Sequence, residues 1–389
     1  MGIIPKLKIM KKNEKPMTYA GSGVDYEAMD PFKRAAQLAG LSTDKYVERF
    51  GFKVVPWTRG ESVFLLETPL GYLGLVIEGL GTKSLVADSL AELDELAAKM
   101  ESLLGKSFYD KVAQCNAAMA FNDLITLGAL PLIYGQYIAV QNSDWFSNKN
   151  RSIDLIEGTR RACMLARCTW GCGETPTLRG IIVPGTVDLA GATIGIVPSK
   201  DRLIDPANIR HGDAIVLIES SGIHANGLSM ARGLADQLPE GYLTLLSNGK
   251  TYGETLLEPT HIYVSLVEDC LNQGVKIHYT VNITGHGWRK LMRANQPFTY
   301  VVEHLPTQLP IFDFVQQRGP VEDEEAYGNL NMGAGFALYV SPDDVANVIR
   351  IAAELGFKAF HAGYIEDGDK KVIIEPKGLE YAGKTLGVR

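Results

Sequence analysis

Residues 220–232 (SSGIHANGLSMAR) combine hydroxyl, imidazole and amide side chains with two glycines. They follow an apolar run at residues 214–218, which predicts a buried strand ending at this polar segment. A helix is predicted to begin near Asn226, and its unpaired N–H groups and positive dipole end would favour phosphate or carboxylate. An ordinary strand-to-helix turn capped by Asn226 is the alternative. The anion-binding hypothesis takes as candidates Ser220, Ser221, Gly222, His224, Asn226 and Gly227.

Residues 78–83 (EGLGTK) form a second glycine-rich segment, directly after a predicted strand. Gly79 and Gly81 let the backbone approach a ligand closely, while Thr82 and Lys83 add a hydroxyl and an ammonium suited to phosphate. A tight turn beside a surface lysine has the same composition. The segment alone does not decide between these interpretations.

Asn122 and Asp123 interrupt a predicted helix that is otherwise rich in Ala, Met and Leu. Burying a carboxylate is costly unless it is paired or bound to a cation. The pattern indicates either a cation-binding position or an exposed polar face of the helix. Further glycine-rich segments lie at residues 172–176, 284–288 and 330–336, and each is also compatible with a simple turn.

The composition limits the class of protein. The 389 residues, 46% hydrophobic and 21% charged, predict a globular protein of two domains. A net charge of -7 without a clustered basic face argues against nucleic acid as a partner and favours a small-molecule ligand. No apolar run is long enough to span a membrane, and the lysine-rich start lacks the features of a secretory signal. We therefore expect a mobile tail over residues 1–18, reduced cysteines and a cytoplasmic location.

The predicted elements place these segments in two halves of an α/β (α+β) fold. The first half is predicted to contain a helix starting at Asp30, a hairpin over residues 62–78, and a helix capped by Asp88 and ended by Gly105. Helices at 107–127 and 152–167 and strands at 132–140 and 189–197 follow. The Pro- and Asp-rich residues 198–212 predict a boundary between domains of residues 19–200 and 201–389. The second half is predicted to end as strand, helix, strand, strand.

Nine segments of the chain resemble, in order, the signature series of one family. They are GSGVD, EGLGTK, FNDLITLGALPL, CGETP, VDLAGATIGIV, SSGIHANG, LLEPTHIYV, ITGHGW and LNMGAGF. The family is that of phosphoribosylformylglycinamidine cyclo-ligase, also called aminoimidazole ribonucleotide synthetase, and the resemblance runs from about Tyr19 to Glu375. It implies an N-terminal domain that binds ATP and dimerises through its sheet, and a C-terminal α/β domain packed beside it. The implied reaction uses Mg-ATP to activate a formamide oxygen of a phosphorylated substrate, after which an amidine nitrogen closes the imidazole ring.

The resemblance also implies roles for individual residues. It implies catalytic roles for Lys83, Asp123, Glu174 and His224. The nucleotide contacts that it implies are Glu78, Gly79, Gly81, Thr82, Lys83, Asn122 and Asp123, with Mg²⁺ held by Glu78, Asp123 and Glu174. The implied substrate contacts are Ser220, Ser221, Gly222, His224, Asn226, Gly227, Thr284 and Gly285.

Several positions depart from the family pattern. Ala20 replaces a lysine, and aspartates of the family are replaced by Gly21, Glu78, Cys115 and Gln136. His286 also replaces the middle glycine of a TGGG segment. Two hypotheses remain open: an active cyclo-ligase or a sister ATP-dependent enzyme acting on another amide or phosphorylated substrate, and a non-catalytic paralogue that keeps the dimer and the anion-binding loop.

Overall fold

The first half of the chain is built on a six-stranded sheet, here the first sheet. The computed structural model describes residues 17–18, 20–23, 26–98 and 107–386. The strands lie in the order β1-β2-β3-β6-β4-β5, and neighbours are antiparallel except for the parallel pair β4 and β5. Their bounds are Lys53–Val54 (β1), Phe64–Glu67 (β2), Tyr72–Gly79 (β3), Leu130–Val140 (β4), Thr169–Glu174 (β5) and Val187–Val197 (β6).

The second half is built on a seven-stranded sheet, here the second sheet. Its order is β13-β12-β9-β11-β7-β10-β8, and only β9 and β12 run parallel. Its strands are Ala214–Glu219 (β7), Ile277–Asn282 (β8), Phe298–Val302 (β9), Ala334–Val340 (β10), Ala359–Asp367 (β11), Lys371–Ile374 (β12) and Leu379–Ala382 (β13).

Helices cover both sheets, and the α/β fold class is confirmed. Their bounds are Tyr26–Leu41 (α1), Lys83–Ala98 (α2), Tyr109–Leu124 (α3), Lys149–Leu165 (α4), Leu228–Ala235 (α5), Tyr252–Leu256 (α6), Val264–Asn272 (α7), Pro310–Arg318 (α8), Asp323–Asn329 (α9) and Val345–Glu354 (α10). Within the described part of the chain, no helix is both long enough and apolar enough to cross a membrane.

Helix α3 is the central element between the two halves. Almost all of its side chains are buried, including the polar Gln114, Asn116, Asn122 and Asp123. A helix that is buried all round requires small or apolar residues on every face, and the Ala-rich sequence of α3 supplies them. One side of α3 packs on β3 and β6, and its polar residues reach the second half.

The other face of the first sheet is open and apolar. Leu75 on β3, Ile194 on β6 and Ile133 on β4 lie side by side in register, and all three are exposed. Ile77 on β3 is 71% exposed on the same face. Large exposed apolar patches are typical of interaction surfaces.

Two predicted helix starts are wrong. Helix α1 begins at Tyr26, so Asp30 and Pro31 lie inside it, and the Asp30 carboxylate instead pairs with Lys33 at 3.1 Å. Helix α2 begins at Lys83, five residues before Asp88, whose carboxylate accepts a hydrogen bond from Tyr109 at 2.8 Å. In both cases helix-compatible residues upstream extend the helix past the predicted cap. Gly105 and nearly all of the predicted tail lie outside the described residues, although the Met17 N–H donates to the Gly319 carbonyl.

Candidate functional site

The polar segments of the two halves meet in one interdomain cluster. The Lys83 ammonium, at the start of α2, donates to the carbonyls of His224 at 2.8 Å and Glu258 at 2.9 Å. The Asn226 side chain accepts the N–H of Gly285 at 3.1 Å. The structure thus brings together the segments at 79–83, 220–227 and 284–285 that the sequence placed far apart.

The segment between β7 and α5 has a fixed shape. Asn331 accepts the Ser220 hydroxyl at 2.9 Å and donates to the Gly222 carbonyl at 2.9 Å. The Ser221 hydroxyl donates to the Pro259 carbonyl at 2.6 Å. Gly227 precedes α5 with a φ of 81°, and a Cβ there would lie 2.3 Å from a methyl group of Leu330. The predicted strand and helix are both present, joined by a rigid loop.

His224 is a neutral side chain that stabilises the β7–α5 loop. Its side chain is buried, and its Nε2 accepts the N–H of Ser221 at 3.1 Å, which leaves Nδ1 to carry the proton. Burial, with smaller contributions from His261 and Lys83, holds the His224 pKa well below its usual range. His224 therefore orders the loop as an uncharged ring, and its implied catalytic role stays a prediction.

The segment at residues 79–83 contains a lysine that is already hydrogen-bonded, and two glycines with space around them. Lys83 is fully buried and its ammonium is engaged by two carbonyls, so reaching a phosphate would require breaking those bonds. The Thr82 hydroxyl is buried without a hydrogen-bond partner. No atom lies within 4 Å of the position that a Cβ would occupy on Gly79 or Gly81. The segment can therefore admit a polar ligand at Thr82 and its glycines.

Helix α3 holds residues 258–263 through a set of contacts that we call the α3 clamp. Asn122 donates to the His261 carbonyl at 2.7 Å and accepts the Tyr263 N–H at 2.9 Å. Gln114 donates to the Thr260 carbonyl at 3.0 Å, and the Cys115 sulfur accepts the Thr260 N–H at 3.3 Å. Asn122 thus positions the second half, because both the nitrogen and the oxygen of its amide bond there.

Five ionisable side chains, two buried and three partly buried, form a charged cluster beside the α3 clamp: Glu61, Glu78, Asp123, Lys290 and Arg293. The carboxyl groups of Glu78 and Asp123 are hydrogen-bonded to each other, and Asn282 at the end of β8 donates to Asp123 at 2.7 Å.

The two cations of the cluster approach it from the second half. The Lys290 ammonium donates to the Thr284 hydroxyl and, at 3.4 Å, to the Asn282 carbonyl. Arg293 pairs with Glu61 at 3.1 Å. The cluster therefore joins the first sheet and α3 to the loop that follows β8.

Burial gives this cluster an unusual proton affinity. Desolvation, reinforced by the charge and hydrogen bond of Asp123, raises the Glu78 pKa to about 8. Desolvation lowers the Lys290 pKa to about 8. Glu78 therefore keeps its proton at neutral pH, and the hydrogen bond with Asp123 lets the two carboxyl groups share it.

The three carboxylates that the resemblance implies as Mg²⁺ ligands do not converge within the single chain, and their role as ligands stays a prediction. Across the first sheet, Glu78 lies opposite Gly191, which in turn lies opposite Gln136. Glu174 lies opposite Tyr137, the residue that follows Gln136. Successive residues of a strand point to opposite faces, so Glu78 and Glu174 lie on different faces, three strands or about 14 Å apart. Magnesium ligands lie about 2.1 Å from the ion. Among the residues that the structure describes, no group of three or more acidic, His or Cys side chains could hold a metal.

Sequence reasoning missed Lys290, Arg293, Glu61 and Asn282. Lys290 lies within the short 3-10 segment Gly287–Met292, and Arg293 follows directly after that segment. The sequence signal that could have identified Lys290 and Arg293 was their spacing of three residues shortly after the TGHGW segment. Their burial could not be inferred, because basic residues are mostly exposed.

Some replaced family positions are accommodated in the fold. Gln136 is buried and donates to Thr159 at 3.1 Å, and the N–H of Gly21 donates to the Thr18 hydroxyl at 3.1 Å.

Beside Ser220, a cavity of about 690 Å³ opens between β11 and α10, lined mainly by apolar side chains. It provides space for a ligand next to the β7–α5 loop.

Comparison with known proteins gives matches over most of the chain. The family model described as AIR synthase related protein, N-terminal domain, matches residues 84–197, and its C-terminal counterpart matches residues 210–375. The phosphoribosylformylglycinamidine cyclo-ligase of Carboxydothermus hydrogenoformans is 32% identical over 380 residues, covering 92% of this chain and 98% of that protein. The protein of the same name from Methanocaldococcus jannaschii is 34% identical over 317 residues, covering 81% and 83%.

Solved structures share the fold. AaThiL complexed with AMPPCP and TMP has a TM-score of 0.58 at 13% identity, covering 92% of this chain and 97% of that one. Phosphoribosylformylglycinamidine synthase II from Thermotoga maritima has a TM-score of 0.53 at 13% identity, covering 84% and 46%. At such identities the likeness concerns the fold alone.

The raised pKa of Glu78 predicts a pH-dependent effect of Glu78→Gln on stability. A carboxyl group whose pKa rises on folding, here from 4.5 to about 8, stabilises the folded state less as pH increases through that interval. The Glu78→Gln variant lacks this carboxyl group and therefore does not lose stability in this way as pH increases. Chemical denaturation should show the variant gaining stability relative to wild type between pH 5.5 and pH 8, by about 1 kcal/mol or more.

Glu240→Gln, at an exposed position, is the matched control and should show no such gain. A constant difference between Glu78→Gln and wild type across this pH range would contradict the shared-proton description.

Proposed function

We propose a function for this chain on the premise that it belongs to the phosphoribosylformylglycinamidine cyclo-ligase family. The proposed activity is ATP-dependent closure of the imidazole ring of formylglycinamidine ribonucleotide, giving aminoimidazole ribonucleotide, ADP and phosphate in purine synthesis. The observation that carries the proposal is the convergence of the segments at 79–83, 220–227 and 284–285 around Lys83 and Asp123. A non-catalytic relic would have no physical need for a buried pair of proton-sharing carboxyls.

ATP is proposed to bind at the segment that follows β3. Thr82 offers an unpaired buried hydroxyl, and Gly79 and Gly81 leave room for phosphate to approach the backbone. The solved neighbour complexed with AMPPCP supports nucleotide binding in this fold. Mg²⁺ is proposed to enter on the triphosphate, as part of the substrate Mg-ATP, because the carboxylates of the described residues do not come together in a group of three.

The phosphorylated substrate is proposed to bind at the β7–α5 loop. Its backbone and the N-terminus of α5 provide N–H donors for a phosphate, and His224 holds Ser221 in place. Phosphoryl transfer and ring closure depend mainly on positioning and on charges aligned in advance. The Glu78–Asp123 pair is proposed to exchange a proton with the reacting groups.

The chain is also proposed to form a homodimer through the open face of the first sheet. A continuous apolar surface of Leu75, Ile77, Ile133 and Ile194 supports this, because such a surface is unfavourable in water. Glu174 lies on this same face. Its proposed catalytic role therefore depends on a second copy covering the face.

Turnover by the purified protein tests the proposed activity. With ATP, Mg²⁺ and formylglycinamidine ribonucleotide, ADP and aminoimidazole ribonucleotide should appear in equal amounts. Asp123→Asn should lower kcat by about 100-fold or more, because it removes a proton-sharing carboxylate. Asp313→Asn on an exposed face of α8 is the control and should retain wild-type turnover.

The two other hypotheses give different results in the same assay. Substrate-stimulated ADP release without the aminoimidazole product would contradict the cyclo-ligase and favour a sister enzyme. Nucleotide binding without ADP release from any amide or phosphorylated substrate would favour a non-catalytic paralogue.

Sedimentation tests the proposed dimer. The wild-type protein should sediment at twice the chain mass of 42.5 kDa, and Ile77→Glu should sediment as a monomer because it places a charge within the apolar face. Leu245→Glu changes a similarly exposed leucine away from the sheet and should remain dimeric. A wild-type monomer at micromolar concentration would overturn the dimer.

A further inference from the structure

A cavity of about 460 Å³, here the β8 cavity, lies at the junction of the two halves. One wall is formed by residues 201–210, in the segment that connects the two sheets, and the other by residues 271–278, which lead from α7 into β8. The β8 cavity shares no lining residue with the segments at 79–83, 220–227 and 284–285. Small-molecule sites are cavities of this size, and they occur preferentially between domains.

Positive side chains predominate in the lining of the β8 cavity. Arg202, Arg210 and Lys276 line it, and Asp201 is the single carboxylate among the lining residues that the structure describes. The Arg202 guanidinium donates to the side-chain carbonyl of Asn272, a neutral partner, at 2.8 Å. Within the described part of the chain, Arg210 and Lys276 form no side-chain ion pair. Three cations against one carboxylate leave an excess of positive charge, which favours an anionic ligand.

Two carboxylates outside the lining fix the backbone around the β8 cavity. One oxygen of the buried Asp213 carboxylate accepts the N–H of Arg210 at 2.9 Å and lies 2.8 Å from Nδ1 of His278. On the opposite wall, the N–H of Lys276 donates to Asp344 at 3.1 Å. The segments that carry the cations are therefore held in place by the fold, which lowers the cost of ordering them around a ligand.

The buried part of the lining is apolar. Ile204, Val275 and Ile277 are buried, and Leu203 and Leu271 are half-buried beside them. A free phosphate ion would leave this apolar surface in contact with water. A ligand that carries both a phosphate and a flat ring system would contact the cations and the apolar residues together. The lining therefore fits a nucleoside monophosphate better than inorganic phosphate.

Strand β8 connects this cavity with the candidate site. It begins at Ile277 in the cavity and ends at Asn282, about 17 Å away, which donates to Asp123 at 2.7 Å. On the other wall, the N–H of Ile204 donates at 3.2 Å to the carbonyl of Leu127, just after α3. Both walls of the β8 cavity are thus attached to the region of α3 that ends at the charged cluster.

We propose that the β8 cavity is a second ligand site, which binds a nucleoside monophosphate through Arg202, Arg210 and Lys276. The phosphate lies against these cations, and the ring system lies against the apolar residues of the lining. This inference goes beyond the proposed function and does not rest on it, because the two sites share no residue.

Hydrogen exchange of the full-length protein, measured by mass spectrometry with AMP as the probe, tests the second site. AMP should protect peptides covering residues 201–210 and 271–278, whereas adenosine and inorganic phosphate at the same concentration should protect them much less. Absence of this protection at AMP concentrations up to about 5 mM would overturn the proposal. So would protection confined to residues 79–83 and 220–227, which would instead place AMP at the candidate site, or equal protection by adenosine or phosphate.

Arg210→Gln combined with Lys276→Gln tests the role of the cations. The AMP concentration that gives half of the protection at residues 201–210 and 271–278 should rise about 10-fold or more, because charge-assisted hydrogen bonds to the phosphate are lost. Arg49→Gln combined with Lys149→Gln removes the same charge at exposed positions and should leave this concentration unchanged.

Lys276→Gln alone is the second variant, in case the double variant does not fold, and should raise the half-protection concentration about 3-fold or more. An unchanged concentration in whichever variant is folded would overturn the proposal. An equal rise in the Arg49→Gln and Lys149→Gln control would overturn it as well, since net charge rather than these cations would then account for the effect.

Discussion

The α3 clamp is the contact on which the candidate site depends. Residues 258–263 run between the two halves without regular structure, and several of their backbone groups are buried. Buried carbonyls and N–H groups without partners would each cost about 1–3 kcal/mol. Asn122 and Gln114 provide partners from α3, and Lys83 provides one from α2. The first sheet and the β7–α5 loop are thereby joined into one polar cluster.

This arrangement separates two uses of polar residues in the site. Some side chains hydrogen-bond to carbonyls of neighbouring loops and so position the backbone, namely Lys83, Asn122 and Ser221. Thr82 and the charged cluster retain the capacity to contact a ligand or to exchange a proton. A site that relies on alignment and on fixed charges needs both kinds of residue. Three of the replaced aspartate positions, Gly21, Cys115 and Gln136, lie outside the Glu78–Asp123 pair, and Glu78 keeps a carboxyl group where the family has an aspartate.

The sequence predicted the presence of helices and strands better than the residues at which they begin and end. The strand at 214–219 and the helix at 228–235 were recognisable from apolar periodicity, and the polar segments around them do converge. The starts of α1 and α2 were misplaced because a capping residue can also lie inside a helix. The distance between Glu174 and Glu78 could not be predicted because the face on which each lies depends on strand register, which a single sequence does not reveal. Lys290 was missed because its burial arises only when the two halves pack together. The domain boundaries stay predictions.

Hydrogen exchange measured by mass spectrometry on Asn122→Ala tests directly whether the α3 clamp unites the two halves. Peptides covering residues 220–227 and 258–263 should lose protection together, while strands β3 and β6 keep theirs, because only the connecting contacts are removed. Asn295→Ala, an exposed substitution, should leave both loops protected. Unchanged protection at residues 220–227 in Asn122→Ala would contradict the account, since the β7–α5 loop would then be held without the clamp.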